Sequence, residues 1–311
     1  MTTPAKICVV GSSNIDLISR VPRLPKLGET MTGHSFHLGY GGKGANQAVM
    51  AAKLGARVAM VTKLGRDVFG DDTLKNFQAH NIDTTFVLFD PDHASGVAPI
   101  FVDDHAQNFI VIIPGANAQL APADARAASA AILSADVVIC QLEIPIATTL
   151  ETFRIAKSGN VCTILNPAPA ATLPDELLQL TDLCIPNETE TELLTGASVQ
   201  NLDDAKIAAR KLLERGVGAV VLTLGDRGVL IVEKNSAEHL PSLKVNAIDP
   251  TGAGDAFIGG LAVFLAEGLA LRDAARRANA IAAQSVTQIG TQVSFPTRAD
   301  AEKFWKLEVG S

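Results

Sequence analysis

Short runs of β-branched and other apolar residues recur along the chain, separated by stretches with helical spacing. The runs are Ile7-Val10, Arg57-Thr62, Val137-Cys140, Val161-Leu165, Leu183-Ile185 and Ala219-Thr223. Between them the spacing predicts helices over Ala45-Leu54, Asp71-Ala79, Pro122-Leu133, Thr148-Lys157 and Asp203-Glu214. Pro122 suits a first helical position, where its missing N–H costs nothing. VVIC (137–140) and AVVLTL (219–224) are apolar at consecutive positions, so strands there need cover on both faces. This alternation predicts an α/β fold with a mostly parallel central sheet flanked by helices. A further strand pair precedes the last strong helices, Gly254-Glu267 and Arg272-Ser285.

Two segments break the rhythm. The first crossover contains Pro22, Pro25 and Gly28, then a strand-like alternation over Glu29-Leu38. Ser95-Val102 and Asn108-Ile112, separated by Asp103-Asp104-His105, read as a hairpin. With no linker, composition shift or internal repeat, the chain reads as one domain, 1–311, with inserts at approximately 14–40 and 95–113. These inserts predict a small β-sheet lid over the strand ends, where ligands bind in open α/β sheets. An inert surface hairpin is the alternative.

Composition narrows the partners. Apolar residues make up 47% of the sequence and charged residues 19%, which excludes a disordered chain. The net charge of −7 gives no general attraction to nucleic acid or anionic lipid. No apolar run approaches the ~20 residues of a membrane helix. Met1 to Pro4 leads directly into a strand-like run, without the pattern of a signal peptide. Cys8, Cys140, Cys162 and Cys184 sit in or beside apolar runs and form no CxxC pair, which suits reduced, buried thiols in a cytoplasmic protein.

Three segments could carry chemistry. In Asp249-Pro250-Thr251-Gly252-Ala253-Gly254-Asp255, the backbone of Gly252, Ala253 and Gly254 would present N–H groups at the positive end of a helix. Asp255 beside such an anion hole is the arrangement for phosphoryl transfer to an alcohol, the carboxylate taking the hydroxyl proton. A carboxylate favouring a helix start is the plainer reading. Gly39-Tyr40-Gly41-Gly42-Lys43-Gly44-Ala45-Asn46 is a glycine-rich turn with two polar side chains, Lys43 and Asn46. It is not a Walker loop, because Gly44 follows Lys43, and it comes too late to close the first strand as a dinucleotide loop does. Asn14 and Asp16 alternate after the first strand, so both could face vicinal sugar hydroxyls, or simply form an Asx turn.

Two more polar clusters sit at strand ends, Asn187-Glu188-Thr189-Glu190 and Thr223-Leu224-Gly225-Asp226-Arg227-Gly228. Glu190 could hold Mg²⁺ through water, or belong to an acidic first helical turn. There is no HExxH and no GxSxG, which argues against a zinc protease or an α/β-hydrolase. His34 and His37 read as surface residues of the lid.

The Gly41-Gly42-Lys43-Gly44-Ala45-Asn46 turn with Gly55 and Gly65, and the Asp249–Asp255 segment, resemble the two motifs of the ribokinase-like (PfkB) sugar kinases. Asn14-Ile15-Asp16, Asn166-Pro167-Ala168-Pro169, Asn187-Glu188-Thr189-Glu190 and Thr223-Leu224-Gly225 match at compatible spacing, and the resemblance runs from about Ile7 to Pro296. It implies Asp255 as catalytic base and Gly252, Ala253 and Gly254 as the anion hole for the γ-phosphate. It implies sugar contacts at Asn14, Asp16, Gly42, Lys43, Asn46, Glu143 and Asp255. Nucleotide contacts would be Asn187, Thr223, Gly225, Asp226, Gly228, Gly254 and Asn279, with Glu190 in the Mg²⁺-linked motif. The resemblance further implies a monovalent cation, usually K⁺, at Asp249, Thr251, Ser285, Gln288, Gly290 and Ser294. Ser285 and Gln288 depart from the residues associated with that site, which matters little if main-chain oxygens are the ligands.

The implied reaction is ATP-dependent phosphorylation of the 5-hydroxyl of D-ribose. Ser95-Gly96-Val97-Ala98-Pro99-Ile100-Phe101-Val102 and Gly254–Gly259 also look like the 2-deoxyribose kinase branch of the family. That branch tends to carry an apolar residue at the position of Asn14. A site that rejects a sugar lacking one hydroxyl needs a buried polar group to leave unpaired, so Asn14 favours ribose. Another sugar or nucleoside kinase, a dinucleotide-dependent oxidoreductase and a non-catalytic sugar sensor are the alternatives. Exposed edges and an apolar face on the lid predict a homodimer through it.

Overall fold

The computed structural model describes residues 4–105 and 107–309. Its main sheet has nine strands, β1 (Lys6–Val10), β4 (Arg57–Gly65), β5 (Asp83–Asp90), β8 (Val137–Cys140), β9 (Cys162–Leu165), β10 (Leu183–Cys184), β11 (Ala219–Thr223), β12 (Val229–Glu233) and β13 (Ser236–Leu240). Their order is β13-β12-β11-β10-β9-β8-β1-β4-β5. Every pairing from β11 to β5 is parallel, and β12 and β13 close one edge as an antiparallel hairpin. The second sheet is small, in the order β3-β2-β6-β7, from β2 (Asn14–Arg20), β3 (Ser35–Gly41), β6 (Gly96–Val102) and β7 (Asn108–Ile110). A mostly parallel α/β sheet with a small accessory sheet is therefore the architecture, as the alternation of runs predicts.

Eleven helices complete the described residues. They are α1 (Lys43–Lys53), α2 (Val68–Ala79), α3 (Pro122–Ala127), α4 (Ser129–Ser134), α5 (Ile146–Ser158), α6 (Asp175–Gln179), α7 (Glu188–Thr195), α8 (Leu202–Glu214), α9 (Ala253–Ala266), α10 (Leu271–Ser285) and α11 (Arg298–Val309). The strand residues that point to one face pack with Met50, Phe77, Phe257 and Phe264 from α1, α2 and α9. Those pointing to the other pack with Phe153, Leu177 and Leu212 from α5, α6 and α8. VVIC is fully buried because Val137 and Ile139 enter the first core while Val138 and Cys140 enter the second.

Two local expectations are corrected. The helix expected over Pro122-Leu133 is divided at Ala128 into α3 and α4. There Ser129 Oγ donates to Arg126 O at 2.5 Å, a back-bond that competes with the helical ladder. The strand expected from Glu29 begins only at Ser35. Glu29 is held back in the preceding loop by Arg23 and by the Lys26 N–H, which it accepts at 2.8 Å. Strand β5, despite its apolar Phe86-Val87-Leu88-Phe89 run, and helix α11 are not among the elements expected from sequence.

Candidate active site

Helix α9 opens at the carboxyl end of the sheet with a start that only glycine suits. Gly252 has φ 79°, and a Cβ there would lie 2.4 Å from Thr291 Cγ2. No side chain caps the helix. Ala253 N–H donates to Pro250 O at 3.2 Å, whereas the N–H groups of Gly252, Gly254 and Asp255 have no protein acceptor among the described residues. Of the expected set Gly252, Ala253 and Gly254, the Ala253 N–H is thus taken up within the turn, while those of Gly252 and Gly254, and that of Asp255 beside them, are open.

Asp255 is 8% exposed and is held from both sides. Asn46 Nδ2 donates to its Oδ2 and Gln47 Nε2 to its Oδ1, both at 2.9 Å. Behind each amide stands another. Gln141 donates to Gln47 Oε1 at 2.6 Å, and Gln292 donates to Asn46 Oδ1 at 3.0 Å, itself receiving Asn76 at 2.9 Å. Burial raises the Asp255 carboxyl above its ordinary value, against the opposing pull of Lys43, Asn46 and Gln47. Burial also works against the Lys43 charge, but Asp255, Glu143 and Glu190 together outweigh it and hold the ammonium above its usual value.

The turn that carries these groups is built by Gly42, the first-cap residue of α1 at φ 85°, whose added Cβ would sit 2.7 Å from Asn14 N. Close approach of β2 and α1 therefore needs glycine. It brings Asn14 and Asp16 of β2 beside Lys43 and Asn46 of α1. Glu143 joins from the loop after β8, accepting Ser12 Oγ at 2.5 Å and Lys43 N–H at 3.0 Å. Burial first, then the Glu143 and Asp255 carboxylates, push Asp16 up to about 7. Asn14 and Glu143 line a cleft of about 390 Å³ together with Ile112, Asn117 and Pro169. Lys43, Asn187, Glu190, Thr223 and Gly252–Asp255 line a second of about 200 Å³, which also touches Ala168. Pro169 lines the first and Ala168 the second, so the clefts adjoin there, one carrying Asn14 and Glu143 and the other Lys43 and the open start of α9.

On the nucleotide side, Asn187 caps α7 and Glu190 returns the bond, accepting Asn187 N–H at 2.8 Å and Asn187 Nδ2 at 2.9 Å. Glu190 is thus a capping residue that also lines the cleft, and its carboxyl is raised chiefly by burial. Thr223 ends β11 in a bridge to Asn187. Gly225, Asp226 and Gly228 form the turn into β12, with Asp226 exposed. Asn279 on α10 is buried and donates to Pro241 O at 2.8 Å, away from both clefts.

The six expected cation positions divide. Asp249 accepts Thr251 N–H at 3.0 Å and Gly290 N–H at 2.9 Å, tying two loops together. Burial opposes its charge, but those hydrogen bonds more than offset it and hold the carboxyl below its ordinary value. An anionic carboxylate joining two loops is a hard oxygen donor of the kind a cation takes. Ser285 Oγ donates to Ala282 O, and Ser294 Oγ to Thr291 O. Gln288 and Ser294 line a neighbouring groove, where Lys53 Nζ donates to Gln292 O at 2.7 Å and Phe295 O at 2.8 Å.

Gln47, Gln141, Asn166, Gln292, Ser12 and Asn117 escaped the sequence reading as site residues. The only signals were Gln47 beside Asn46 and the Asn166-Pro167 match. Gly39–Gly41 end β3 of the small sheet and only Gly42 parts them from α1, so the glycine-rich segment does not follow a strand of the main sheet, which removes the dinucleotide-loop reading. Burial pushes the Cys8 and Cys162 thiols up to about 12 and about 11, so neither is a nucleophile at neutral pH. Among the described residues, no three His, Cys, Asp or Glu side chains gather as a metal cage, and no helix is long and apolar enough to cross a membrane.

The pfkB family carbohydrate kinase profile matches residues 4–298. A ribokinase of Mus musculus is 46% identical over 301 residues, covering 95% of this chain and 93% of its own. A deoxyribokinase of Salmonella typhi is 41% identical over 302 residues, covering 97% and 99%. The solved structure of Arabidopsis thaliana ribokinase complexed with ribose and ATP is similar with a TM-score of 0.92 at 30% identity, covering 98% of this chain and 99% of that one. The chain belongs to the pfkB family of carbohydrate kinases.

Proposed function

We propose that this kinase is a ribokinase, transferring the γ-phosphoryl group of ATP to the 5-hydroxyl of D-ribose to give D-ribose 5-phosphate and ADP. The observation that carries the reading is the buried Asp255 carboxylate, held by Asn46 and Gln47 next to the open N–H groups of Gly252 and Gly254. Asp255 takes the hydroxyl proton as the sugar oxygen attacks phosphorus, and the helix start and Lys43 balance the charge of the phosphoryl group. Asn14, Asp16, Glu143 and the Gly42-Lys43 turn hold the sugar. Asn187, Thr223, Gly225, Asp226 and Gly228 surround the nucleotide, with Asn279 tied to Pro241 O outside the two clefts.

Glu190 would hold Mg²⁺ through water, and the ion would supply charge neutralisation at the phosphates of ATP. The loops joined by Asp249 would hold K⁺ as a monovalent activator. Exposed Phe36, Leu38, Phe109 and Ile110 on the small sheet support a homodimer through that sheet. Four free cysteines suit a reducing cytoplasm.

A 2-deoxyribose kinase is the second reading, supported by the deoxyribokinase relative; the buried Asn14 amide favours ribose. The test is ADP formation with ribose, 2-deoxyribose, fructose and adenosine, with and without K⁺. The highest kcat/KM is expected with ribose, and a higher value for any other acceptor overturns the assignment.

A further inference from the structure

We propose that Asn117 is the positioning residue that sets the preference for ribose over 2-deoxyribose, by fixing which end of the Asn14 amide faces the sugar. This rests on the ribokinase reading above. Asn117 lies in a short turn (Gly115–Gln119) and is 1% exposed. Its amide grips the backbone of Ser13 at both ends, Oδ1 accepting Ser13 N–H at 2.9 Å and Nδ2 donating to Ser13 O at 3.0 Å. A donor and an acceptor on the same residue leave this amide one orientation. The remaining Nδ2 hydrogen goes to Asn14 Oδ1 at 2.8 Å.

Asn14 is thereby fixed in turn. Its oxygen is taken, which leaves its Nδ2, with no protein acceptor among the described residues, as the end free to donate where Asn14 lines the sugar cleft. A donor there is satisfied by the oxygen of a hydroxyl and left bare by a methylene. A buried donor without a partner is costly, so the sugar lacking that hydroxyl is penalised. Released from Asn117, Asn14 could turn either end to the cleft or turn away, and the penalty would fade.

Gly96 supports the same assignment independently. It pairs with Asn14 across β2 and β6, and a Cβ on it would lie 2.2 Å from both Asn117 Nδ2 and Asn14 Oδ1. The strand opposite Asn14 is bare where this one hydrogen bond runs.

The test compares kcat/KM for ribose and 2-deoxyribose in the wild type, Asn117→Asp, Asn14→Leu and the double variant. Asn117→Asp keeps the acceptor for Ser13 N–H but has no hydrogen for Asn14; Asn117→Ser is the substitute if it fails to fold. The ribose-over-deoxyribose ratio is expected to fall about tenfold in Asn117→Asp, the worth of one hydrogen bond. It should fall no further when Asn117→Asp is added to Asn14→Leu, because Asn117 acts through Asn14. A purely structural role would depress both sugars alike and leave the ratio unchanged, which overturns the inference. A wild type without ribose preference instead overturns the reading on which it rests.

Discussion

Gln47 Nε2 lies 2.9 Å from Asp255 Oδ1, although the two residues are 208 positions apart and Gln47 is wholly buried. Together with Asn46 it fixes the plane of the carboxylate, with amide hydrogens at one lone pair of each oxygen. Replacing Gln47 with Leu removes a hydrogen bond to a charged group, worth about 1.5–3 kcal/mol. The expected result is a kcat about ten- to a hundredfold lower with a smaller change in the ribose KM, checked by steady-state ADP formation.

Asp255→Asn keeps the shape of the side chain but removes the proton acceptor. Turnover should fall by about 10²–10⁴-fold, while ribose affinity measured by calorimetry changes far less. Near-normal turnover in this variant would remove Asp255 as the base.

Asp16 predicts a pH dependence. With its carboxyl pushed up to about 7, it is neutral below that pH and an acceptor for sugar hydroxyls above it. The ribose KM should therefore rise as pH drops from 8 to 6, and Asp16→Asn should flatten that rise. The stability effect has the opposite sense. Because the folded carboxyl lies above its unfolded value of 3.8, stability is lost as pH rises from about there to about 7. Asp16→Asn should raise Tm at pH 8 and not at pH 4.

Asp249 predicts a cation dependence. Substituting tetramethylammonium chloride for KCl should lower kcat/KM several-fold. Asp249→Asn should raise the K⁺ concentration for half-activation, because it removes the anion that ties the two loops. An unchanged activation curve would place the cation elsewhere.

Gly252→Ala introduces a side chain at φ 79° and against Thr291. The strain is about 1–2 kcal/mol, and the shift of the helix start should raise the KM for ATP more than that for ribose. Thermal unfolding and the two KM values check it.

Much of the fold was legible because runs such as VVIC are apolar at every position, a demand only a sheet covered on both faces meets. Asp255 and the Gly252-Gly254 turn were legible because glycine, helix start and carboxylate are neighbours in sequence. The amides behind Asp255 were not. Gln292 reaches Asn46 across 246 positions and Gln141 reaches Gln47 across 94, and no local pattern marks a buried glutamine as a hydrogen-bond partner. Asn117 was hidden for the same reason, meeting Ser13 only once β2 and the turn after β7 are packed. The bond from the Ala253 N–H to Pro250 O was not legible either, because that turn is a matter of geometry rather than composition.

Strand β2 leaves β1 after only three residues, Gly11, Ser12 and Ser13, and carries Asp16 into the small sheet, while Asn46, Glu143 and Asp255 stay with the large one. On the ribokinase reading, substrate would be clasped between two separately supported jaws, so that parting them would strip away half of the grip on it. Unloading the product would then require no extra latch, since gaping and letting go would be the same movement.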